Sequence, residues 1–119
     1  MRVLIVDDEA PIRELLRVVC VEEGHEARTA ASVQEALQLW RAWRPGCIFL
    51  DLVMPGETGT ELVRSIRAVG DTTPIVIVSG DPRPDWIARV RRFGVTAVVE
   101  KPFRLSQIIE LLQALRAAS

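Results

Sequence analysis

The chain has no tyrosine, one histidine, two cysteines and one lysine among its 119 residues. Each scarcity excludes something. Cys20 and Cys47 lack metal-ligand spacing and fall in apolar periodic segments. They read as small buried hydrophobes in a reducing compartment, not as a disulfide or a catalytic thiol. His25, in "EEGHEAR", has no cysteine or second histidine near it in sequence and reads as a residue entering a strand, not a metal ligand. No apolar run approaches membrane-spanning length, and the run "VLIV" is cut off by Asp7, Asp8 and Glu9, too short for a signal-peptide core. A formal net charge of −1 argues against a general binder of nucleic acid or of an acidic membrane surface. What remains is a cytoplasmic domain with one core, of a length that one core can fill.

The hydrophobic residues that are present follow two alternating patterns. Short runs rich in β-branched residues occur at 3–6 (VLIV), 47–50 (CIFL), 74–78 (PIVIV) and 96–99 (TAVV). Being apolar on both faces, they fit strands of a parallel sheet covered on both sides. A weaker, more polar strand near His25 to Thr29 suggests an edge. Between the strands lie amphipathic helices. Ile12, Leu15, Leu16 and Val19 share one face of the first, which Gly24 stops. "SVQE" (32–35) is a capping-box pattern opening the second, which carries Leu37 and Trp40 and ends at Pro45-Gly46. Trp40 and Trp43 read as core and core-edge positions. Leu62, Ile66 and Val69 mark the third helix, Ile87, Val90 and Phe93 the fourth, and Leu105, Ile108, Ile109 and Leu112 the fifth. Five β-α units predict an open, doubly wound five-stranded parallel sheet in one domain spanning 1–119, with no repeat or linker.

In such a sheet ligands bind beyond the carboxyl ends of the strands, where the strand order reverses. The strong strands deliver Asp7 and Asp8, then Asp51, then Ser79 and Gly80, then Lys101 to that rim. Lys101 stands out because arginine supplies the other fourteen fixed cations. Clustered carboxylates repel one another and call for a cation. An oxygen-only donor set suits a hard ion, Mg²⁺ first and Mn²⁺ as the alternative. Mg²⁺ keeps positions for phosphate oxygens, and a carboxylate can itself take a phosphoryl group as an acyl phosphate. The metal, the lysine and the hydroxyl would then neutralise or hydrogen-bond the phosphoryl oxygens. A compact ammonium on a flexible stem suits that exchange better than a planar guanidinium. Asp pairs at strand ends also serve as helix caps and Ser-Gly as a turn; four strand ends in one chain order point to a site.

The segments "LIVDDE" (4–9), "FLDLVMPGETG" (49–59), "IVIVSGD" (75–81) and "VVEKPF" (98–103) resemble the response-regulator receiver domains of two-component signalling, over essentially the whole chain. The resemblance implies a flavodoxin-like (βα)5 fold with strand order 2-1-3-4-5. It implies Asp51 as phosphoacceptor from a phosphohistidine, on a sensor histidine kinase or a phosphotransfer protein. It implies Asp8, Asp51 and the Val53 carbonyl as Mg²⁺ ligands, with Asp7 acting through metal-bound water. Ser79 and Gly80 would bind the phosphoryl group with Lys101, whose bond to Pro102 is typically cis in this family. It implies a domain that catalyses only its own phosphorylation and dephosphorylation.

Two positions depart from the family pattern. Val98 stands where an aromatic ring usually reports the hydroxyl's movement. Val53, two residues after the acceptor, cannot orient an attacking water, and Asp81 is the residue placed to do so. The family's output face, the fourth helix, fifth strand and fifth helix, would offer Trp86, Arg89 and Arg92 to a partner or effector, or to a second copy in a homodimer; a solvated helix face explains the same residues. Kinase docking would use the first helix around Ile12 to Leu16 and the Pro102-Phe103 loop, with Arg13 and Arg17 outward. Direct nucleic-acid contact is disfavoured by Asp81 and Asp85 within the basic stretch. An interaction module with a vestigial site, and a phosphohydrolase using an aspartate nucleophile, are the competing classes.

Overall fold

A computed structural model describes residues 1–55, 57–80 and 84–118. Its elements in chain order are β1 (Arg2–Val6), α1 (Ala10–Glu22), β2 (Glu26–Ala30), α2 (Val33–Trp43), β3 (Cys47–Leu50), β4 (Val53–Met54), β5 (Glu57–Thr58), α3 (Thr60–Ala68), β6 (Ile75–Ser79), α4 (Pro84–Arg92), β7 (Ala97–Glu100) and α5 (Leu105–Ala118). The main sheet is parallel, in the order β2-β1-β3-β6-β7. That is the expected 2-1-3-4-5 once the antiparallel hairpin β4–β5 is set aside, a feature the sequence did not announce.

Alternation along each strand divides the core into two layers. Leu4, Val6, Ile48, Leu50, Ile75 and Ile77 face α2, α3 and α4, meeting Ala36, Trp40, Leu62, Ile66 and Val90. Val3, Ile5, Phe49, Val76 and Val78 face α1 and α5, meeting Leu16, Val19, Ile108 and Leu112. Each fully buried aliphatic or aromatic side chain contributes about 1.5–3 kcal/mol on transfer from water. Strand β2, with its exposed and half-buried alternation, is the polar edge.

Local chemistry sets the helix ends. Ser32 Oγ accepts from the Glu35 amide at 3.2 Å, and the Glu35 carboxylate accepts from the Ala31 amide at 3.1 Å. The capping pair is therefore present, but reaches one residue further back than the sequence pattern implies. Arg44, not a glycine, takes the left-handed conformation that closes α2, at φ 54°. Three apolar positions assigned to inward helix faces lie outside: Leu15, Val69 and Leu105 are all exposed, Val69 at 70%. Val69 is past the last turn of α3, where helical periodicity no longer governs direction.

Both cysteines are free and buried, and burial pushes each thiol up to about 12. His25 is buried as well. Its Nδ1 lies 3.1 Å from the Met1 amino nitrogen and its Nε2 3.3 Å from Arg116 Nη2. Burial, then the positive charges of the terminus and Arg116, hold its pKa below the ordinary imidazole value. It enters β2 as expected, and also ties the amino terminus to α5. No helix among the described residues is long and apolar enough to cross a membrane.

Candidate functional site

The backbone ladders carry the site residues to one rim. The Asp51 amide donates to the Val6 carbonyl at 2.9 Å, the Asp7 amide to the Ala30 carbonyl at 3.1 Å, and the Lys101 amide to the Ser79 carbonyl at 2.9 Å. Each residue thus extends the hydrogen bonding of its strand by one step, directly over the β1/β3 switch point.

Asp7, Asp8 and Asp51 each offer a carboxylate oxygen, and these oxygens all lie within 4.8 Å of one another. Lys101 Nζ donates to Asp7 Oδ2 at 2.7 Å, to Glu9 Oε2 at 2.8 Å and to Asp51 Oδ2 at 3.1 Å. Asp7 and Asp51 are buried; Asp8 is half-buried. Burial holds the Asp7 carboxyl above its ordinary range. The Lys101 hydrogen bond and the Glu9 amide, at 2.9 Å from Oδ1, only partly offset this, and the Asp51 charge adds to it. Burial by itself would lower the Lys101 pKa, but hydrogen bonds to Asp7 and Glu9 and the fields of Asp51 and Asp7 together raise it. The lysine is an ammonium at any physiological pH.

The loop after Asp51 folds back over it. Asp51 Oδ1 accepts from the Val53 amide at 3.0 Å, and the Gly59 amide donates to the Leu52 carbonyl at 2.9 Å. A Cβ on Gly59 would stand 2.7 Å from the Asp51 carbonyl oxygen and 3.0 Å from Leu50 Cδ1. The close approach of the two backbones therefore requires glycine. Val53 is exposed at the rim. Ser79 is fully buried at the end of β6, and Gly80 lies beside the Lys101 stem, with room for a methyl group. The Lys101–Pro102 bond is cis. A groove of about 540 Å³ along the β2 edge, lined by Arg17, Arg28, Glu35 and Leu39 among others, touches none of these residues. The carboxylate chemistry sits on an open rim.

The sequence-derived set Asp7, Asp8, Asp51, Ser79, Gly80 and Lys101 is thus delivered to that rim by successive strand ends. Glu9 was missed, although it follows Asp8 directly and opens α1. Arg13, expected to point outward, turns back and donates to the Asp7 carbonyl at 2.8 Å. Leu15 takes the outward place instead. Val98 is half-buried and packs into the α2–α3–α4 layer, with Trp86, also half-buried, in the same cluster. Arg89 and Arg92 are exposed. Asp81 lies outside the described residues.

The response regulator receiver domain family matches residues 3–113. The chain belongs to that family, the receiver domains of two-component signalling. It is 33% identical over 116 residues to the response regulator MprA of Mycolicibacterium vanbaalenii, covering 97% of this chain and 50% of that protein. It therefore spans about half the length of the curated relatives it matches. Among solved structures, the chemotaxis protein CheY4 of Vibrio cholerae superposes with a TM-score of 0.87 at 31% identity, over 96% of this chain and 97% of that one. The receiver domain of NtrX from Brucella abortus gives 0.88 at 31% identity, over 98% and 99%.

The donor set fits a hard divalent cation. Oxygens from Asp7, Asp8 and Asp51 converge, and one ammonium shared with Glu9 leaves the buried carboxylates short of positive charge.

Proposed function

We propose that this domain is a phosphoacceptor switch: Asp51 takes a phosphoryl group from a phosphohistidine on a sensor histidine kinase or phosphotransfer protein, with Mg²⁺ held by Asp8, Asp51 and the Val53 carbonyl and by Asp7 through metal-bound water. The observation carrying this reading is the Lys101 ammonium 3.1 Å from Asp51 Oδ2, beside a three-carboxylate cluster on an open rim. When bound, Mg²⁺ supplies the positive charge that lets a phosphoryl dianion approach three carboxylates.

An Asp51 oxygen attacks phosphorus, the N–P bond breaks, and its electron pair leaves with the imidazole, which takes a proton from solvent. Lys101 keeps its stem in place and turns its donors to a phosphoryl oxygen. Ser79, at the end of β6, supplies a hydroxyl to another. The domain promotes only its own phosphorylation and dephosphorylation. Val53, exposed beside Asp51, and Asp81 set how readily water removes the group. Output passes through α4, β7 and α5 to a partner, an effector domain or a second copy. With Val98 in place of a ring, the signal travels through the core layer that Val98 shares with Trp86 and with Val90 of α4. The setting is the cytoplasm.

The test is transfer of labelled phosphate from an autophosphorylated histidine kinase, with and without Mg²⁺. Stoichiometric, acid-stable and base-labile label on the wild type, absent from Asp51→Asn, supports the reading. Multiple turnover on phosphate esters would make it a hydrolase, and no transfer would leave an interaction module.

A further inference from the structure

The three protons of an ammonium are its whole donor capacity. At Lys101 all three are committed, to Asp7, Glu9 and Asp51. A phosphoryl oxygen arriving on Asp51 must therefore compete for a donor that is already in use. Of the three acceptors, Asp7 is the least free to yield. It is buried, and its other oxygen is bound by the Glu9 amide. The Asp51 carboxylate gives up its own charge when it becomes an acyl phosphate. Glu9 keeps its charge and its hold.

Glu9 is also misplaced for an ordinary role. It occupies the N-cap position of α1, yet its side chain makes no capping hydrogen bond. Ser, Thr, Asp and Asn are the residues that satisfy helix amides from that position. The carboxylate of Glu9 is directed instead to Lys101, and its side chain is 56% exposed, so water can receive it when it lets go.

We infer that Glu9 is a positioning residue that acts as a brake: it holds the Lys101 ammonium in the unphosphorylated arrangement and adds a negative charge where a dianionic phosphodonor must approach. This inference rests on the phosphoacceptor reading of Asp51. It assigns Glu9 neither a metal-binding nor a nucleophilic part. Glu9→Gln preserves shape and removes the charge, so Lys101 turns to the phosphoryl oxygen at less cost.

The test compares wild type, Glu9→Gln and Glu9→Ala in Mg²⁺ with phosphoramidate as donor, following the mass increase on Asp51 over time. The expected result is a rate about two- to fivefold higher in both variants, the range for an exposed charge pair. The advantage shrinks as ionic strength rises from 0.01 to 1 M, because exposed charges are screened. A purely structural role for Glu9 would not produce that salt dependence. In the metal-free protein, the Lys101 ammonium protons exchange with water faster in Glu9→Gln. Unchanged or slower phosphorylation of both variants, with the wild type modified normally, overturns the brake alone. Absence of the adduct on wild-type Asp51 overturns the phosphoacceptor reading and the brake together.

Discussion

Lys101 Nζ lies 2.7 Å from Asp7 Oδ2, a contact that joins the ends of β7 and β1 over the two strands between them. The lysine side chain is 12% exposed, and those of Asp7 and Asp51 are 2% and 6% exposed. Removing one partner of such a group leaves buried charge uncompensated, which costs about 3–5 kcal/mol for fully buried pairs. Lys101→Met should lose about 2–4 kcal/mol in urea denaturation with chelator present, the lower figure reflecting Glu9's exposure to water. Adding Mg²⁺ should recover part of that loss.

Asp7 makes a pH prediction whose sign is opposite to the common case. Its carboxyl is held above the ordinary value of 3.8, so the folded protein binds this proton more tightly than the unfolded chain does. Stability from this group is present below the unfolded value and is lost as pH rises through the higher folded one. Asp7→Asn should therefore be more stable than wild type in metal-free buffer at neutral pH. The gain is on the order of 1 kcal/mol, or roughly 4 °C in Tm. The gap should open as pH rises from about 3.8 and close when Mg²⁺ is added to the wild type.

Gly59 meets the Asp51 carbonyl too closely for any side chain. Gly59→Ala should cost about 1–3 kcal/mol by overpacking. It should also slow phosphorylation of Asp51, because the backbone that must shift carries the acceptor. Equal phosphorylation rates at a temperature where both proteins are folded would show that Asp51 is positioned by β3 alone.

Arg67 fastens α3 to the end of α4. Its Nε donates to the Phe93 carbonyl at 2.8 Å, Nη1 to Asp71 at 2.7 Å, and Nη2 to Thr73 and Gly94, both at 2.8 Å. A lysine ammonium cannot reproduce this planar fork. Arg67→Lys should lose about 2–3 kcal/mol, given about 1.5–3 kcal/mol for a charged hydrogen bond and partial retention of the set. Hydrogen exchange should accelerate first at Phe93 to Thr96, ahead of the central strands.

The strands and the rim residues were legible in the sequence because each strand is a short apolar run with a polar residue at its carboxyl end, whereas the order of the main sheet followed from the resemblance to receiver domains. Strand period alone places Asp51 and Lys101. The Arg67 contacts were not legible, since they join carbonyls as many as 27 positions away and depend on backbone turns that have no side-chain signature. The bond from Trp40 Nε1 to Asp71 Oδ2, at 2.7 Å, is of the same kind. Glu9 stood in plain view, but a glutamate at a helix start reads as favourable to the helix dipole, and only the fold shows Lys101 above it. Leu15 was misplaced because its helix face borders the α1 stripe and hydrophobicity does not distinguish an edge position from an inward one.

The central claim is that Asp51 is a phosphoacceptor served by Lys101 and a divalent cation. The most direct measurement is intact mass of the protein after phosphoramidate treatment, in Mg²⁺ and in chelator, followed by borohydride trapping and peptide mapping. The account predicts one added phosphoryl group per chain, only with Mg²⁺, mapped to Asp51 and lost in Asp51→Asn and Lys101→Met alike. Mass gain in chelator, or an adduct mapping to any residue other than Asp51, would contradict it.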